Sequence, residues 1–241
     1  MERRPITVEI SEYPEAFQAL LSGARLYDSS CSEDARVIFI DRDEGFFLKS
    51  AAQGSMALEA ELTRFFHSKK LAPELLSYIS ATQDWLLTAR APGEDCTASQ
   101  YLEQPKQLVD TLAEQLHRLH HTDYTACPVQ HHSAEFIAQV SKHGDTWRYV
   151  EKHAQLLQDD TLIHGDYCLP NIILDDWSFS SFIDVGSGGV GDKHVDLYWA
   201  LWSLNYNLQT EQYHDRFLDA YGREAIDDER LRLVTAIEPS E

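Results

Sequence analysis

Long apolar runs and positive charge are both scarce in this sequence. No stretch of the 241 residues approaches the roughly 18 to 20 consecutive apolar residues that a membrane span needs. The first residues also lack the apolar core of a secretion signal. Only 20 Lys and Arg stand against 40 Asp and Glu, so the formal net charge is −20, which repels nucleic acid and anionic lipid. We therefore expect a cytoplasmic protein with neither nucleic acid nor a membrane as its partner.

Cysteine pairs are absent as well. The four cysteines, Cys31, Cys96, Cys127 and Cys168, lie far apart and form no Cys-x-x-Cys motif. This spacing argues against a zinc knuckle and against a redox dithiol. We expect four free, buried thiols.

The composition that remains is that of an ordinary globular protein, with 43% hydrophobic and 25% charged residues. The first ninety residues mix strand-like runs with one strong helical pattern, whereas the rest is largely helical apart from short apolar runs between Thr161 and Val185. Pro92 and Gly93 end a strand-like run and mark a hinge. We predict an α+β fold with an N-terminal lobe over residues 1–89 and a larger, mostly helical C-terminal lobe over residues 90–241.

A hairpin and a helix are predicted in the N-terminal lobe. The runs 36–41 and 45–50 are rich in β-branched and aromatic residues and are separated by a polar turn. Lys49 falls near the end of the second run. A helical pattern with Ser55 as a candidate cap follows over 55–71, and Trp85 to Thr88 form a further short strand.

Several elements are predicted in the C-terminal lobe from the spacing of apolar residues. Leucines recur every three or four residues from Leu108 to Leu119, which indicates a helix, and a less regular helical pattern covers 136–157. The runs 161–163, 171–174 and 181–185 are short enough to be strands. Two helices, over 195–204 and 211–221, are expected to close the chain.

The order of polar residues matches the needs of phosphoryl transfer, which requires a carboxylate at the accepting hydroxyl, metal ligands and a cation on the phosphates. Asp166 precedes Asn171 by five positions, as in the catalytic loop of protein kinases, and Asp184-Val185-Gly186 stands where a metal-binding Asp-x-Gly would follow. Upstream, Lys49 and an acid on the next helix would form the pair that holds a triphosphate. Glu61 is the preferred acid and Glu59 its competitor. Residues two apart on a helix lie on different faces, so only one of them can face Lys49.

Four other patterns could indicate a binding site, but each lacks a feature that such a site needs or has a simpler structural explanation. Gly186 to Gly191 match the Gly-x-Gly-x-x-Gly of dinucleotide sites, but no strand-helix-strand ladder follows. The same run fails as a P-loop, because Asp192 separates it from Lys193 and His194 replaces the hydroxyl residue. The triplet His117, His120 and His121 is interpreted as a solvated helix end rather than a metal site, and Trp199 and Trp202 are interpreted as packing residues.

Three segments resemble the aminoglycoside 3′-phosphotransferase family: 163–173 (IHGDYCLPNII), 182–186 (FIDVG) and 191–197 (GDKHVDL). The resemblance is strongest from Leu162 to about Leu204 and extends more weakly over most of the chain. It implies a two-lobed, protein-kinase-like fold with an antiparallel sheet and one helix in the small lobe. It also implies ATP or GTP as donor, magnesium as cofactor, and transfer of the γ-phosphoryl to a hydroxyl of an amino sugar.

The same resemblance implies a role for each matching residue. Asp166 would be the catalytic carboxylate, and Asn171 and Asp184 would bind magnesium. Lys49 with Glu61 would hold the α- and β-phosphates, while the loop around Ser32 would cover them. Ala89 to Ala91 would meet the base through their backbone, and Asp196 would brace the catalytic loop.

The chain departs from the family mainly at positions that concern the acceptor. Ser187 stands where the family usually has Arg, the stretch before the catalytic loop is shorter, and the C-terminus, Ile237-Glu-Pro-Ser-Glu241, lacks the usual acidic-aromatic patch. The first hypothesis is a kinase of aminoglycosides that gives antibiotic resistance. The alternatives are a kinase of another small hydroxylated, sugar or amino-alcohol metabolite, or a nucleotide-binding protein without efficient transfer.

Overall fold

A computed structural model describes residues 4–31, 34–140 and 142–238. The chain divides into two compact units, Met1–Pro92 and Gly93–Glu241. The division lies slightly later than the predicted boundary after residue 89. Each unit has its own sheet or sheets and its own helices.

The first unit contains six strands and two α-helices among its described residues. In chain order these are β1 (Arg4–Ile6), α1 (Glu15–Leu21), β2 (Arg25–Asp28), β3 (Ala35–Asp41), β4 (Phe46–Ala52), α2 (Ala57–Ser68), β5 (Leu75–Ser80) and β6 (Gln83–Ala89). The strands form one antiparallel sheet in the order β1-β2-β3-β4-β6-β5. The predicted hairpin is β3 and β4, with Ile38 opposite Leu48.

The two faces of this sheet are covered by different helices, because successive side chains of a strand point to opposite faces. On one face Leu48, Ile38 and Trp85 join a core with Phe17 of α1. On the other face Leu86 packs against Met56 and Ala60 at the start of α2. Sequence reasoning missed α1, β1, β2 and β5, since these elements are short.

The helix α2 begins two residues later than predicted, and Ser55 does not cap it. The Ser55 hydroxyl donates to the Ala52 carbonyl instead. The backbone N–H of Met56 donates to Asp84 Oδ2 at 2.9 Å, and Tyr78 OH donates to the same oxygen. A fully buried carboxylate of β6 therefore anchors the start of α2 on the sheet.

The second unit contains five short strands and seven α-helices among its described residues. In chain order these are β7 (Glu94–Asp95), α3 (Ser99–Leu102), α4 (Pro105–His120), α5 (His132–Ala138), α6 (Gly144–His153), β8 (Thr161–Ile163), β9 (Ile172–Asp175), β10 (Ser178–Phe182), β11 (Gly189–Gly191), α7 (His194–Leu208), α8 (His214–Tyr221) and α9 (Asp228–Ile237). The strands form two small antiparallel sheets, β10-β9-β7 and β11-β8.

The elements of this unit follow the predicted apolar spacing only in part. The leucines at 108, 112, 116 and 119 are buried along α4 as predicted. The helical stretch 136–157 is two helices, α5 and α6, and β10 ends at Phe182 rather than at residue 185. Sequence reasoning missed α9, although Asp227 caps it by accepting hydrogen bonds from the N–H groups of Glu229 and Arg230.

The four cysteines are free thiols, as predicted, but they differ in burial. Cys96, Cys127 and Cys168 are buried free thiols, but Cys31 is exposed, so the prediction of four buried thiols is wrong for Cys31. Within the described ranges, no helix has the length and apolar character to cross a bilayer.

Candidate active site

In the first unit, Lys49 lies at the centre of β4 and forms an ion pair with Glu59 of α2. Lys49 Nζ is 2.8 Å from Glu59 Oε1 and 3.0 Å from Oε2, and both side chains are largely buried. Because Leu48 faces α1, Lys49 projects from the opposite face, where α2 lies. The two-oxygen contact fixes the ammonium group above the sheet.

The prediction that Glu61 pairs with Lys49 is therefore wrong. Each residue of a helix is rotated about 100° from the one before it, so Glu59 lies near the Met56–Ala60 face that packs on the sheet, whereas Glu61 points away from it. Glu61 is exposed. Glu59, the alternative in the sequence prediction, is the partner of Lys49.

The remaining predicted nucleotide contacts of this unit stay predictions. Ser32 lies outside the described residues. The backbone N–H of Ala89 donates to the Glu74 carbonyl, and that of Arg90 donates to the Gly45 carbonyl. Ala89 can thus offer a base only its carbonyl oxygen, and the next N–H along the chain is that of Ala91.

In the second unit, the loop between β8 and β9 brings Asp166 and Asn171 together. Asn171 Nδ2 donates to Asp166 Oδ2 at 2.8 Å and to the Asp166 backbone carbonyl at 3.0 Å. Asn171 is 8% exposed, while Asp166 is half-buried. The amide thus fixes the orientation of the Asp166 carboxylate, to which the Cys168 thiol also hydrogen-bonds.

Gly165 is required by the backbone of this loop. Its φ is +80°, and an added Cβ would lie 1.9 Å from the Ser187 carbonyl oxygen, far inside contact distance, so no other residue fits without movement. Buried Asp196 of α7 fixes the same turn from the other side. Its Oδ1 accepts from Gly165 N–H and its Oδ2 from His164 N–H, both at 2.8 Å.

His164 connects this turn to the segment that carries Asp184. The Asp166 N–H donates to His164 Nδ1 at 3.3 Å, so Nδ1 is an acceptor and the proton resides on Nε2, which donates to the Ile183 carbonyl at 3.0 Å. Ile183 N–H in turn donates to the Asn171 carbonyl at 2.9 Å. Ile183, the residue before Asp184, is therefore hydrogen-bonded to both His164 and Asn171.

Asp184 lies in a turn and has a left-handed backbone conformation. Its φ of 53° and ψ of 45° are left-handed, a conformation that costs a non-glycine residue about 1 to 2 kcal/mol. The residue is exposed between β10 and the turn Val185–Ser187. The predicted strand does not reach it, and its carboxylate is directed away from the core.

Asn171 and Asp184 offer the oxygen ligands that Mg²⁺ prefers. Because Asn171 uses its Nδ2 on Asp166, the amide oxygen is the atom it has left for a cation. Among the described residues no group of three or more His, Cys, Asp and Glu side chains forms a complete metal site. One amide and one carboxylate agree with Mg²⁺, which usually keeps waters and substrate phosphates as its other ligands.

Several residues around the loop were not predicted as part of it. His120, expected at a solvated helix end, has a side chain only 2% exposed, and its Nε2 is 3.1 Å from Asp196 Oδ2. His117 and His121 are exposed as predicted. Ser203 accepts from Leu169 N–H at 2.9 Å. The available signal for His120 was its spacing of four from Leu116, which puts it on the apolar face of α4.

A second acid lies close to Asp166. Burial raises the pKa of Glu238, and the negative charge of Asp166 raises it further. Burial also raises the pKa of the Cys168 thiol, again with a contribution from Asp166. The thiol is thus held protonated, whereas the two carboxyl groups create a negative environment beside the loop.

The chain is similar to known proteins of one family. Residues 29–234 match the phosphotransferase enzyme family. A probable aminoglycoside 3′-phosphotransferase of Lactococcus lactis subsp. lactis is 44% identical over 98% of this chain and 97% of its own length. An aminoglycoside 3′-phosphotransferase of Niallia circulans is 25% identical over 75% of this chain and 76% of its own length.

Solved structures show the same fold. The crystal structure of an aminoglycoside-3′-phosphotransferase of type VIII superposes with a TM-score of 0.71 over 94% of each chain at 23% identity. An aminoglycoside phosphotransferase of Streptomyces rimosus, solved with ADP and streptomycin, gives 0.66 over 85% of this chain and 89% of that chain at 21% identity. The ordered loop, the lysine-glutamate pair and these likenesses lead to one conclusion: the chain belongs to the phosphotransferase enzyme family.

Proposed function

We propose that this enzyme transfers the γ-phosphoryl group of ATP or GTP to a hydroxyl group of an aminoglycoside and so gives resistance to it. The observation that carries this proposal is the hydrogen bond from Asn171 to the Asp166 carboxylate, made within a loop whose neighbouring turn presents Asp184. The aminoglycoside phosphotransferases that this chain resembles, one of them solved with ADP and streptomycin, support the donor and the acceptor class. Since the donor is a nucleoside triphosphate, we place the reaction in the cytoplasm.

Asp166 acts on the acceptor in this proposal. Its carboxylate accepts the hydroxyl hydrogen of the acceptor and orients the oxygen toward the γ-phosphorus, in line with the bond that breaks. The hydroxyl oxygen bonds to the γ-phosphorus, the bond from that phosphorus to the bridging β-phosphate oxygen breaks, the proton passes to the carboxylate, and the nucleoside diphosphate leaves. Asn171 keeps the carboxylate in the orientation that this transfer needs.

The donor is held by the other predicted residues. Lys49, fixed by Glu59, neutralises the α- and β-phosphates, and the Ala89 carbonyl and the Ala91 N–H contact the base. Asn171 and Asp184 would hold Mg²⁺, which supplies charge neutralisation of the phosphates when bound.

A cationic acceptor is favoured by the charges around Asp166. Glu238 adds a second carboxyl group. Burial raises its pKa, and the negative charge of Asp166 raises it further. A neighbouring ammonium group would relieve this repulsion. Together with the net charge of −20, this supports an amino sugar rather than a neutral sugar.

The test is transfer of labelled γ-phosphoryl from ATP or GTP to a panel of aminoglycosides, neutral sugars and amino alcohols, with the product identified by ³¹P NMR. We expect a phosphomonoester on an aminoglycoside and none on a neutral sugar. A product only on a sugar or amino alcohol would contradict the acceptor assignment. Magnesium-dependent nucleotide binding without turnover on any acceptor would contradict the transferase assignment.

A further inference from the structure

A buried chain of side chains runs from α8 through α4 to the turn beside Asp166. The hydroxyl of Tyr221 lies 2.7 Å from His120 Nδ1, and His120 Nε2 lies 3.1 Å from Asp196 Oδ2. Tyr221 is 4% exposed and Asp196 is fully buried. Three helices thus meet at one imidazole ring that water does not reach.

The protons of this chain can be assigned from the acceptors at its end. The N–H groups of His164 and Gly165 donate to the Asp196 carboxylate, which acts only as an acceptor. His120 must therefore present Nε2–H to Asp196, and its unprotonated Nδ1 accepts the Tyr221 hydroxyl. The chain runs in one direction, from Tyr221 to His120 to Asp196.

Charges around the ring agree with a neutral imidazole. Burial lowers the pKa of His120, Asp196 opposes this through its hydrogen bond and its charge, and the positive charge of Lys193 beside α7 lowers the pKa further. Burial raises the pKa of Tyr221, so its hydroxyl keeps the proton that it donates. In this neutral tautomer every polar atom of the ring has a partner.

We propose that His120 is a positioning residue for phosphoryl transfer, and that Tyr221 selects the tautomer in which it works. His120 fixes the carboxylate of Asp196, Asp196 fixes the backbone of His164 and Gly165, and that backbone sets where Asp166 stands. The proposal rests on the proposed function of Asp166. Tyr221 of α8 and His120 of α4 thus take part in the reaction without contacting either substrate.

Three variants test the chain. His120→Leu removes the donor to Asp196, and kcat falls about ten- to a hundredfold, as expected for a displaced reactive group, while KM for ATP changes little. His120→Gln restores an N–H near Asp196 and recovers most of kcat. The control His121→Gln changes an exposed ring one position further on α4 and leaves kcat unchanged. Equal kcat in wild type and His120→Leu, or no recovery in His120→Gln, would overturn the proposal.

Tyr221→Phe separates positioning from a merely structural role. It removes the hydroxyl that stabilises the neutral ring, so the pKa of His120, followed by ¹⁵N NMR of the imidazole, rises relative to wild type. An unchanged pKa, or a wild-type spectrum with the proton on Nδ1, would overturn the assigned direction of the chain.

Amide hydrogen exchange needs no substrate and distinguishes this proposal from the proposed function. The His164 and Gly165 amides exchange faster in His120→Leu than in wild type, and exchange slows again in His120→Gln. Wild-type exchange in His120→Leu would overturn the positioning role. Failure of the wild-type enzyme to phosphorylate any acceptor would overturn the function instead, and would leave these exchange and NMR results intact.

Discussion

Single atoms decide the geometry at the residue scale, and Gly165 is the clearest case. Gly165→Ala combines a positive φ with a Cβ placed 1.9 Å from the Ser187 carbonyl. We expect it to abolish transfer and to destabilise the second unit by well over the roughly 1 to 2 kcal/mol that the left-handed conformation alone costs. Thermal unfolding and kcat measure both effects.

Gly144→Ala is the matched control for this prediction. Gly144 lies in the same unit with a φ of +83°, and nothing stands within 4 Å of its added Cβ. We expect it to lose only about 1 kcal/mol and to keep its activity. Equal effects of the two substitutions would show that the close approach to Ser187 has no consequence.

A second residue-scale prediction concerns the acid that pairs with Lys49. Glu59→Gln weakens the ion pair at 2.8 Å, so KM for ATP rises about tenfold, or about 1.4 kcal/mol. Glu61→Gln, which changes an exposed side chain on the same helix, leaves it unchanged. KM for ATP of the two variants is measured by steady-state kinetics at saturating acceptor. A larger rise in Glu61→Gln than in Glu59→Gln would restore Glu61 as the partner of Lys49.

The order of the candidate site residues was easier to predict from the sequence than the contacts that hold them in place. Asp166, Asn171 and Asp184 could be found because one loop and the strand pair after it carry them at fixed spacing. Glu59 could not be separated from Glu61, since the choice depends on which face of α2 packs on the sheet. His120 was misassigned because its partners, Asp196 and Tyr221, are distant in sequence and only the tertiary fold brings them to the same ring.

At the scale of elements, longer periodic segments were predicted and short or interrupted ones were not. The hairpin β3–β4 and the helix α4 follow their apolar spacing. The strands β1 and β2 depend on edge pairing, and the helix α9 depends on its cap at Asp227. The helices α5 and α6 divide the segment 136–157 without a side-chain cap on either of them. The cap at Asp227 was visible in the sequence, but the helix it begins is short and amphipathic on one narrow face.

Asp84 gives a pH-dependent test of how α2 is anchored. Burial by itself raises the pKa of Asp84, but hydrogen bonds from Ser80, Gly54, Met56 and Tyr78 together lower it to about 2. Because the folded pKa lies below the ordinary value of 3.8, the unfolded chain binds the proton first, and the stability from Asp84 is lost as pH falls from about 4 to 2.

Asp84→Asn should therefore lower the free energy of unfolding of the first unit at pH 7 by about 1 to 3 kcal/mol and flatten its dependence on pH between 4 and 2. Asp43→Asn, in the exposed β3–β4 turn with a φ of 50° that Asn tolerates, serves as the control. Urea unfolding at a series of pH values gives the measurement. An unchanged acid limb in Asp84→Asn would contradict the anchoring role.

At the scale of the whole molecule, the charge of −20 should act on the acceptor through long-range attraction. Salt screens such attraction over about 8 to 10 Å at physiological strength. We expect KM for a cationic aminoglycoside to rise several-fold between low and high ionic strength. KM for anionic ATP should stay level or fall, and parallel changes for both substrates would contradict electrostatic selection of the acceptor.

The central claim, that Asp166 orients the accepting hydroxyl and receives its proton, is tested most directly by Asp166→Asn. The new amide can still accept the hydrogen bond from Asn171, so the loop keeps its geometry while the base is lost. We predict that kcat for the aminoglycoside falls by about 10² to 10⁴ with nucleotide affinity unchanged, whereas Asp176→Asn, at an exposed turn, keeps wild-type kcat. Transfer by Asp166→Asn at the wild-type rate would contradict the account.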